Sequence, residues 1–418
     1  MPISKKIIKW WVCSKLPDRH IFGNISGDGP KGSLRKWFFH PIKRRFAKYY
    51  LFVLKSIFGI KVIAITGSAG KTTTKEMLAS ILSCGGNVVS SYKNIDPIYN
   101  IPTTICKCRP STKYLILEMG VEYPGEMDFY LWLAEPDLAV ITNIYPTHTK
   151  FFGDTQGVFK EKRKLAEFIR SSGAVILNNE NNYLTGLKNK VKGKVVLFGK
   201  GGNVTSSQEK IINGGTRFIL SFNNPKKNIS LTIPIYGRQF VYDSLAASSV
   251  AKYLGFTLED IKIGLEKYVP QEHRMTVFKH RSGATIIDDT YNNNPQAAIE
   301  ALNSFTEFSG SKDKVVIFGD MLELGKLDKK YHEELGMVLA KSKLRKLICV
   351  GKSVVSTATV ASEIMGKSKV DYIKDKDDTL KIIKPYLNSN TVILIKGSRS
   401  LKLDDLVSRI LIQKSDKM

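Results

Sequence analysis

The chain has 418 residues, 43% hydrophobic and 24% charged, without a low-complexity tract, which exceeds one ordinary core and excludes a wholly disordered chain. Its formal net charge of +26 creates a field that attracts nucleotides, nucleic acid or anionic lipid without choosing among them. Five scattered cysteines, Cys13, Cys84, Cys106, Cys108 and Cys349, exclude a disulfide scaffold and favour a reducing, cytoplasmic compartment.

Residues 1–60 differ from the rest. Thirteen Lys or Arg stand there against Asp18 and Asp28, and Trp10, Trp11 and Trp37 are three of the four tryptophans. IIKWWV, the loop GNISGDGPKGS and LRKWFFHPIKRRFAKYYLFVLKSIFG have the composition of a helix lying in a membrane interface. A basic helical cap packed on the next domain explains the same residues, and a base-stacking nucleic-acid arm is a third reading. The apolar residues after Lys6 are too interrupted for a signal peptide, and Tyr49 to Ile60, broken by Lys55, is too short to span a bilayer.

From Lys61 strand-length apolar runs alternate with helical ones: KVIAIT, KEMLASILS, KYLILEMG, DLAVITNI, FKEKRKLAEFIRSS, GAVILN. That rhythm predicts a mostly parallel sheet covered on both faces. Residues 203–236 break it with RFILSF and ISLTIPI, the pattern of an antiparallel edge or a small side sheet. After EHRMTVF a βα pattern restarts with GATIIDD, PQAAIEALNSF, DKVVIFGD, KLICVG and TVILIKG. The expected class is α/β: a basic aromatic segment over 1–60, a phosphate-loop ATPase domain over 61–271 and a Rossmann-like domain over 272–418. A ligand site belongs where two such sheets meet, at the C-terminal ends of their strands.

ITGSAGKTTTKEML follows the first strand. Gly67 and Gly70 let the amides of Gly67, Ser68, Ala69 and Gly70 face an anion, Lys71 adds a point charge, and the helix opened by Thr72 and Thr73 presents its positive end. Thr72 also offers a hydroxyl to Mg²⁺. The usual G-x-x-x-x-G-K-[ST] spacing would place glycine at Ile65, so the shorter G-x-x-G-K-T-T form rests on its strand–turn–helix context. Glu118, closing the strand YLILEMG, is positioned to ligate Mg²⁺.

TGSAGKTTTKEM, LEMG, ITNI with YPTH and TKFFG, FKEKRKLAEF, HRM, DDTYNNNP, GDMLELG and KGSRS occur in the order found in the Mur ligase family, and the chain resembles that family over residues 61–410. The last three motifs are most similar to the branch that adds D-alanyl-D-alanine to a UDP-muramoyl tripeptide. The resemblance implies ATP-dependent amide formation through an acyl phosphate, a nucleotide-sugar peptide and an amino acid or dipeptide as substrates, two Mg²⁺ ions, and a monomer. It further implies that Asn143 and His148 lie by the nucleotide and second metal, and that Lys162 carries a CO₂-derived carbamate that ligates Mg²⁺. Lys160 is the second choice, since Lys160, Lys162, Arg163 and Lys164 also read as a solvated basic face. Arg274 corresponds to an arginine at the ATP phosphates and Asp289, beside Asp288, to a ribose-binding carboxylate. Asn292 and Asn294 line the cleft or form turns; Lys396 and Arg399 hold an incoming carboxylate or cap a terminal helix starting near Leu401.

The sequence departs from the pattern at several points. Residues 1–60 stand where relatives carry a longer UDP-sugar-binding domain, so a different, lipid-linked acceptor is a second reading, with residues 1–60 as its contact with the inner membrane face. Gln239 and Phe240 replace an adenine-contacting His-Asn pair, Asp243 replaces an asparagine, and Asn100 replaces a glycine while still tolerating positive φ. A basic nucleic-acid-binding ATPase is the rival from another class. It explains the charge but not Lys162, Arg274 and DDTYNNNP in that order.

Overall fold

The computed structural model describes residues 3–22, 35–92 and 95–412; the loop GNISGDGPKGS lies outside them. The first sheet contains β1 (Lys61–Thr66), β2 (Asn87–Ser90), β3 (Thr112–Glu118), β4 (Leu138–Ile141), β5 (Ala174–Asn178), β6 (Lys194–Phe198), β7 (Val204–Ile212), β8 (Gly215–Asn223) and β9 (Lys226–Ile233). Their order is β2-β3-β1-β4-β5-β6-β7-β8-β9. Pairings are parallel from β2 to β7, and β8 and β9 add antiparallel neighbours at one edge. Residues 203–236 thus extend the main sheet. The chain leaves β1 toward β2 and β3 and then crosses to β4, so β1 borders the topological switch point where ligands of open α/β sheets bind.

β1 shows why the sheet is buried on both faces. Ile63 and Ile65 join a cluster with Met77, Leu78 and Ile81 of the helix Lys71–Leu82. Val62 and Ala64 face the other way, onto Ala47, Leu51 and Leu54 of the helix His40–Phe58 and Ile101 of the helix Pro97–Ile105. Alternation along one strand therefore fixes two layers. The inner face of His40–Phe58 is a cap on the sheet, and the helix stops at Gly59 in the left-handed region (φ 68). Asn100 lies inside Pro97–Ile105 and is not among the residues with positive φ, so its tolerance of a left-handed backbone is not used here.

The second sheet holds β10 (Thr276–Lys279), β11 (Thr285–Asp289), β12 (Asp313–Gly319), β13 (Lys346–Val350), β14 (Val370–Ile373) and β15 (Thr391–Lys396). Their order is β10-β11-β15-β12-β13-β14, with only the β10 pairing antiparallel. β11 and β15 end side by side at Asp289 and Lys396. These ends face the phosphate-loop edge of the first sheet across one cavity of about 400 Å³.

Candidate active site

The turn after β1 must bring its backbone against its neighbours. Gly67 has φ +152 and Gly70 φ +79; a Cβ would lie 1.9 Å from Thr142 Oγ1 at the first and 2.0 Å from Asp243 Oδ1 at the second, so only glycine fits. Asn143 braces the loop from β4: its Oδ1 accepts from Ala69 N at 2.8 Å and its Nδ2 donates to Ala69 O at 3.2 Å. Ser68 Oγ donates to Tyr145 O at 2.9 Å. Lys71 Nζ donates to Gly67 O at 3.0 Å. Burial lowers the Lys71 pKa, the Glu118 carboxylate opposes that, and Arg274 reinforces it.

Thr72 Oγ1 donates to Glu118 Oε1 at 3.0 Å, while Glu118 Oε2 is buried with no hydrogen-bond partner. An orphaned carboxylate oxygen beside a threonine hydroxyl, at a phosphate loop, is a donor set suited to Mg²⁺. Lys75, fully buried, stands 3.7 Å from Glu118 Oε2 and is fixed by Ser91 O at 2.5 Å and Glu76 at 3.0 Å.

The register on the helix Thr155–Phe168 separates the candidate lysines. Lys160 is exposed, whereas Lys162 is 2% exposed and donates to Ser68 Oγ at 3.0 Å, beneath the phosphate loop. The neighbouring Glu161 is turned away to the backbone amides of Gly125 and Met127. Burial, then the charge of Lys71, holds the Lys162 amine well below the usual lysine range.

The second sheet supplies the opposite wall. Arg274 lies 4.1 Å from the Tyr291 ring centroid, and its Nε is buried without a partner. Asp289 faces the cavity and accepts from Lys396 Nζ at 2.6 Å, while Asp288 is turned inward to His273 and Thr290.

Several candidates take other positions. Gly67, Thr73, His148, Lys162 and Arg399 do not line the cavity. His148 reaches across to Glu323 in the loop after β12, a hydrogen bond that holds the Glu323 carboxyl below its ordinary range. Thr149 Oγ1 donates to Leu324 O at 3.0 Å beside it. Arg399 is exposed and stands 5.6 Å from the Tyr291 ring centroid. Lys396 Nζ donates to Asp289 Oδ2 at 2.6 Å and to Asn292 O at 3.1 Å. Asn294 lines the cavity but caps the helix Pro295–Ser309 through Ala297 N at 2.9 Å.

Sequence reasoning missed Glu323, the wall residues Asn178, Tyr145 and Tyr242, and Glu300, whose carboxyl burial raises. Gln239, a replaced position, accepts from Ser304 Oγ at 2.7 Å and links the two sheets' layers, while Phe240 lines the cavity.

A phosphate loop on a doubly wound sheet, facing an arginine and a carboxylate from a second α/β layer, defines an ATP-utilising enzyme with a divided site. The Mur ligase middle-domain model matches residues 65–251 and the Mur ligase glutamate ligase domain model residues 273–399. The UDP-N-acetylmuramoyl-tripeptide–D-alanyl-D-alanine ligase of Buchnera aphidicola subsp. Baizongia pistaciae is 34% identical over 84% of this chain and 75% of its own. Its Bacillus subtilis counterpart is 31% identical over 88% and 79%. A crystal structure of MurF from Acinetobacter baumannii superposes with a TM-score of 0.81 at 27% identity, over 90% of this chain and 81% of that one. The chain belongs to the Mur ligase family of ATP-dependent ligases.

Proposed function

We propose that the chain adds D-alanyl-D-alanine to a UDP-muramoyl tripeptide as a monomer in the cytoplasm, where ATP and such a precursor are found. The observation that carries the reading is one cavity in which Lys71, Thr72 and Glu118 of the first sheet face Arg274 and Asp289 of the second. The named relatives support the substrate pair. Bound ATP with Mg²⁺ supplies the phosphoryl group that turns a carboxylate into an acyl donor an amine can attack. The amides of Ser68 and Ala69 are already bonded to Asn143 O and Oδ1, so Lys71 and the Gly70 end of the helix Lys71–Leu82 would hold phosphate oxygens, Thr72 and Glu118 would hold the ion, and Arg274 would meet charge from the far side. Asp289 accepts from ribose hydroxyls.

Lys162 carries a carbamate in this reading. Burial lowers the pKa of its amine and so favours the form whose lone pair can form a bond to the carbon of CO₂, releasing a proton to water and leaving an anion that would be able to ligate a second Mg²⁺. His148 acts near that ion, positioned by Glu323. The test is mass-spectrometric detection of the amide product from the UDP-linked tripeptide, D-alanyl-D-alanine and ATP, with Lys71→Ala as the blank. ATP consumption without that product, or product only from a lipid-linked acceptor, would overturn the substrate assignment. Incorporation of isotope-labelled bicarbonate, lost in Lys162→Met, tests the carbamate.

A further inference from the structure

The helix His40–Phe58 has two apolar faces and the first sheet covers only one. Ile42, Phe46, Tyr49, Phe52, Val53 and Ile57 point outward, at 57%, 59%, 66%, 66%, 43% and 69% exposure. Their three-to-four-residue spacing makes one stripe about 22 Å long at the rise of an α-helix. Trp10, 68% exposed, extends it from the helix Ile3–Val12, fixed there by Arg45, which bonds the carbonyl of Trp10 at 2.6 Å and lies 5.7 Å from its ring. Isolated exposed apolar residues need no explanation, but a contiguous stripe does.

No carboxylate stands on this helix, whose sequence is HPIKRRFAKYYLFVLKSIF. Its flanking cations are drawn back to the protein body: Lys43 to Thr103, Lys48 to Trp132 O, Lys55 to Asp137. The outward stripe is therefore uncharged; Lys48 and Lys55 are paired with Glu135 and Asp137, so the unpaired positive charge beside it comes from other residues. Nearby Lys6, Lys15 and Arg35 are exposed and make no ion pair among the described residues. Asp18, the described acid of residues 1–60, is matched by Lys9 at 2.6 Å. Residues 23–34 contain only Ile25 and Leu34 as large apolar side chains, too few to cover the stripe. A twofold contact through it would bring together two segments that each carry thirteen Lys or Arg against two Asp, a juxtaposition like charges oppose.

We propose that this outer face docks the enzyme onto an anionic lipid bilayer, with the helix lying in the interface plane. Aromatic and aliphatic side chains enter the headgroup boundary while the unpaired cations beside them meet lipid phosphates. The helix does not cross: among the described residues, none is long and apolar enough to do so. The surface is separate from the cavity, so the inference stands apart from the substrate assignment.

The experiment is co-sedimentation of the full chain with phosphatidylglycerol or phosphatidylcholine vesicles at low and high salt. It is paired with the double variant Phe46→Asp/Phe52→Asp, with light-scattering mass, and with ATP-dependent turnover in vesicle-free solution. Both replaced side chains are exposed, so melting temperature and turnover should match the parent. The expected result is binding to phosphatidylglycerol vesicles that weakens with salt and falls about tenfold or more in the variant. Failure to bind these vesicles would overturn the proposal, as would equal binding by the variant or equal binding to phosphatidylcholine. A dimer that the variant dissociates, without vesicle binding, would assign the face to a second copy; retention of single-stranded DNA without vesicle binding would assign it to nucleic acid.

Discussion

Asp243 sits against the phosphate loop where the family carries asparagine, and Asp243→Asn is the substitution whose outcome the structure constrains best. The carboxyl is 6% exposed, and its one hydrogen bond among the described residues is a long 3.4 Å contact with Thr74 Oγ1. Burial raises its pKa well above the ordinary value of 3.8, against the opposing charge of Arg274. An acid whose folded pKa exceeds its unfolded one destabilises the fold when ionised. The penalty is absent below 3.8, grows as pH rises toward the folded pKa and is constant beyond it. Asparagine keeps the shape and removes the charge, so the variant gains stability at neutral pH. Relief of a poorly compensated buried polar group is worth about 1–3 kcal/mol, and a domain of some 200 residues gains about 2–4 °C per kcal/mol. Thermal melts of both proteins across the acid-to-neutral range check this: the gap should be near zero at pH 3 and open as pH rises. Removing a negative charge from the phosphate site should also lower KM for ATP. A variant that melts at or below the parent at neutral pH, or a gap that does not change with pH, would refute the reasoning.

Gly70→Ala forces φ +79 on a residue with Cβ and drives it against Asp243; the left-handed backbone alone costs about 1–2 kcal/mol, so a lower melting temperature and loss of ATP binding by calorimetry are expected. Lys162→Met removes a buried amine that has no carboxylate partner among the described residues, so the fold should lose no more than about 1 kcal/mol of stability, the worth of the Ser68 hydrogen bond, while product formation falls about a hundredfold or more. Glu118→Gln should raise the Mg²⁺ concentration needed for half-maximal turnover, leaving the melting temperature in metal-free buffer close to the parent's. Glu323→Ala severs the solvent-exposed contact with His148; screened as it is, the pair is worth about 0.2–1 kcal/mol, so its loss should lower kcat by up to about fivefold with little change in KM for ATP.

The legible parts of this molecule are those whose causes are local. The strand KVIAIT, the glycine turn and the helix KTTTKEMLASIL are contiguous, and their periodicity alone places a phosphate site. Lys160 and Lys162 share one basic helical run, and the structure gives the physical reason to separate them: two positions along the helix turn the side chain from solvent to the underside of Ser68. Long-range pairs had no such signal. His148 and Glu323 lie 175 positions apart, and Asn143 clasps Ala69 across 74. The outer stripe of His40–Phe58 was ambiguous because both the cap and the interface readings need an apolar helix. Burial shows one apolar face packed on the sheet and the other exposed, a division that residue composition cannot reveal.

The cavity's far wall depends on backbone conformations that no periodicity reveals. His273 and Met275, on either side of Arg274, adopt φ 64 and φ 47, each unfavourable for a residue with a side chain. Such strain persists only where the surroundings over-determine it, and here they do. His273 Nδ1 bonds Asp288 at 2.7 Å, the amide of Tyr291 donates to His273 O at 3.1 Å, and the amide of Met275 donates to Asp289 at 3.3 Å. The motifs HRM and DDTYNNNP are therefore one structural device. The second carboxylate of IIDD faces the cavity because the first anchors the strained linker, and that linker sets Arg274 over Tyr291 opposite the phosphate loop.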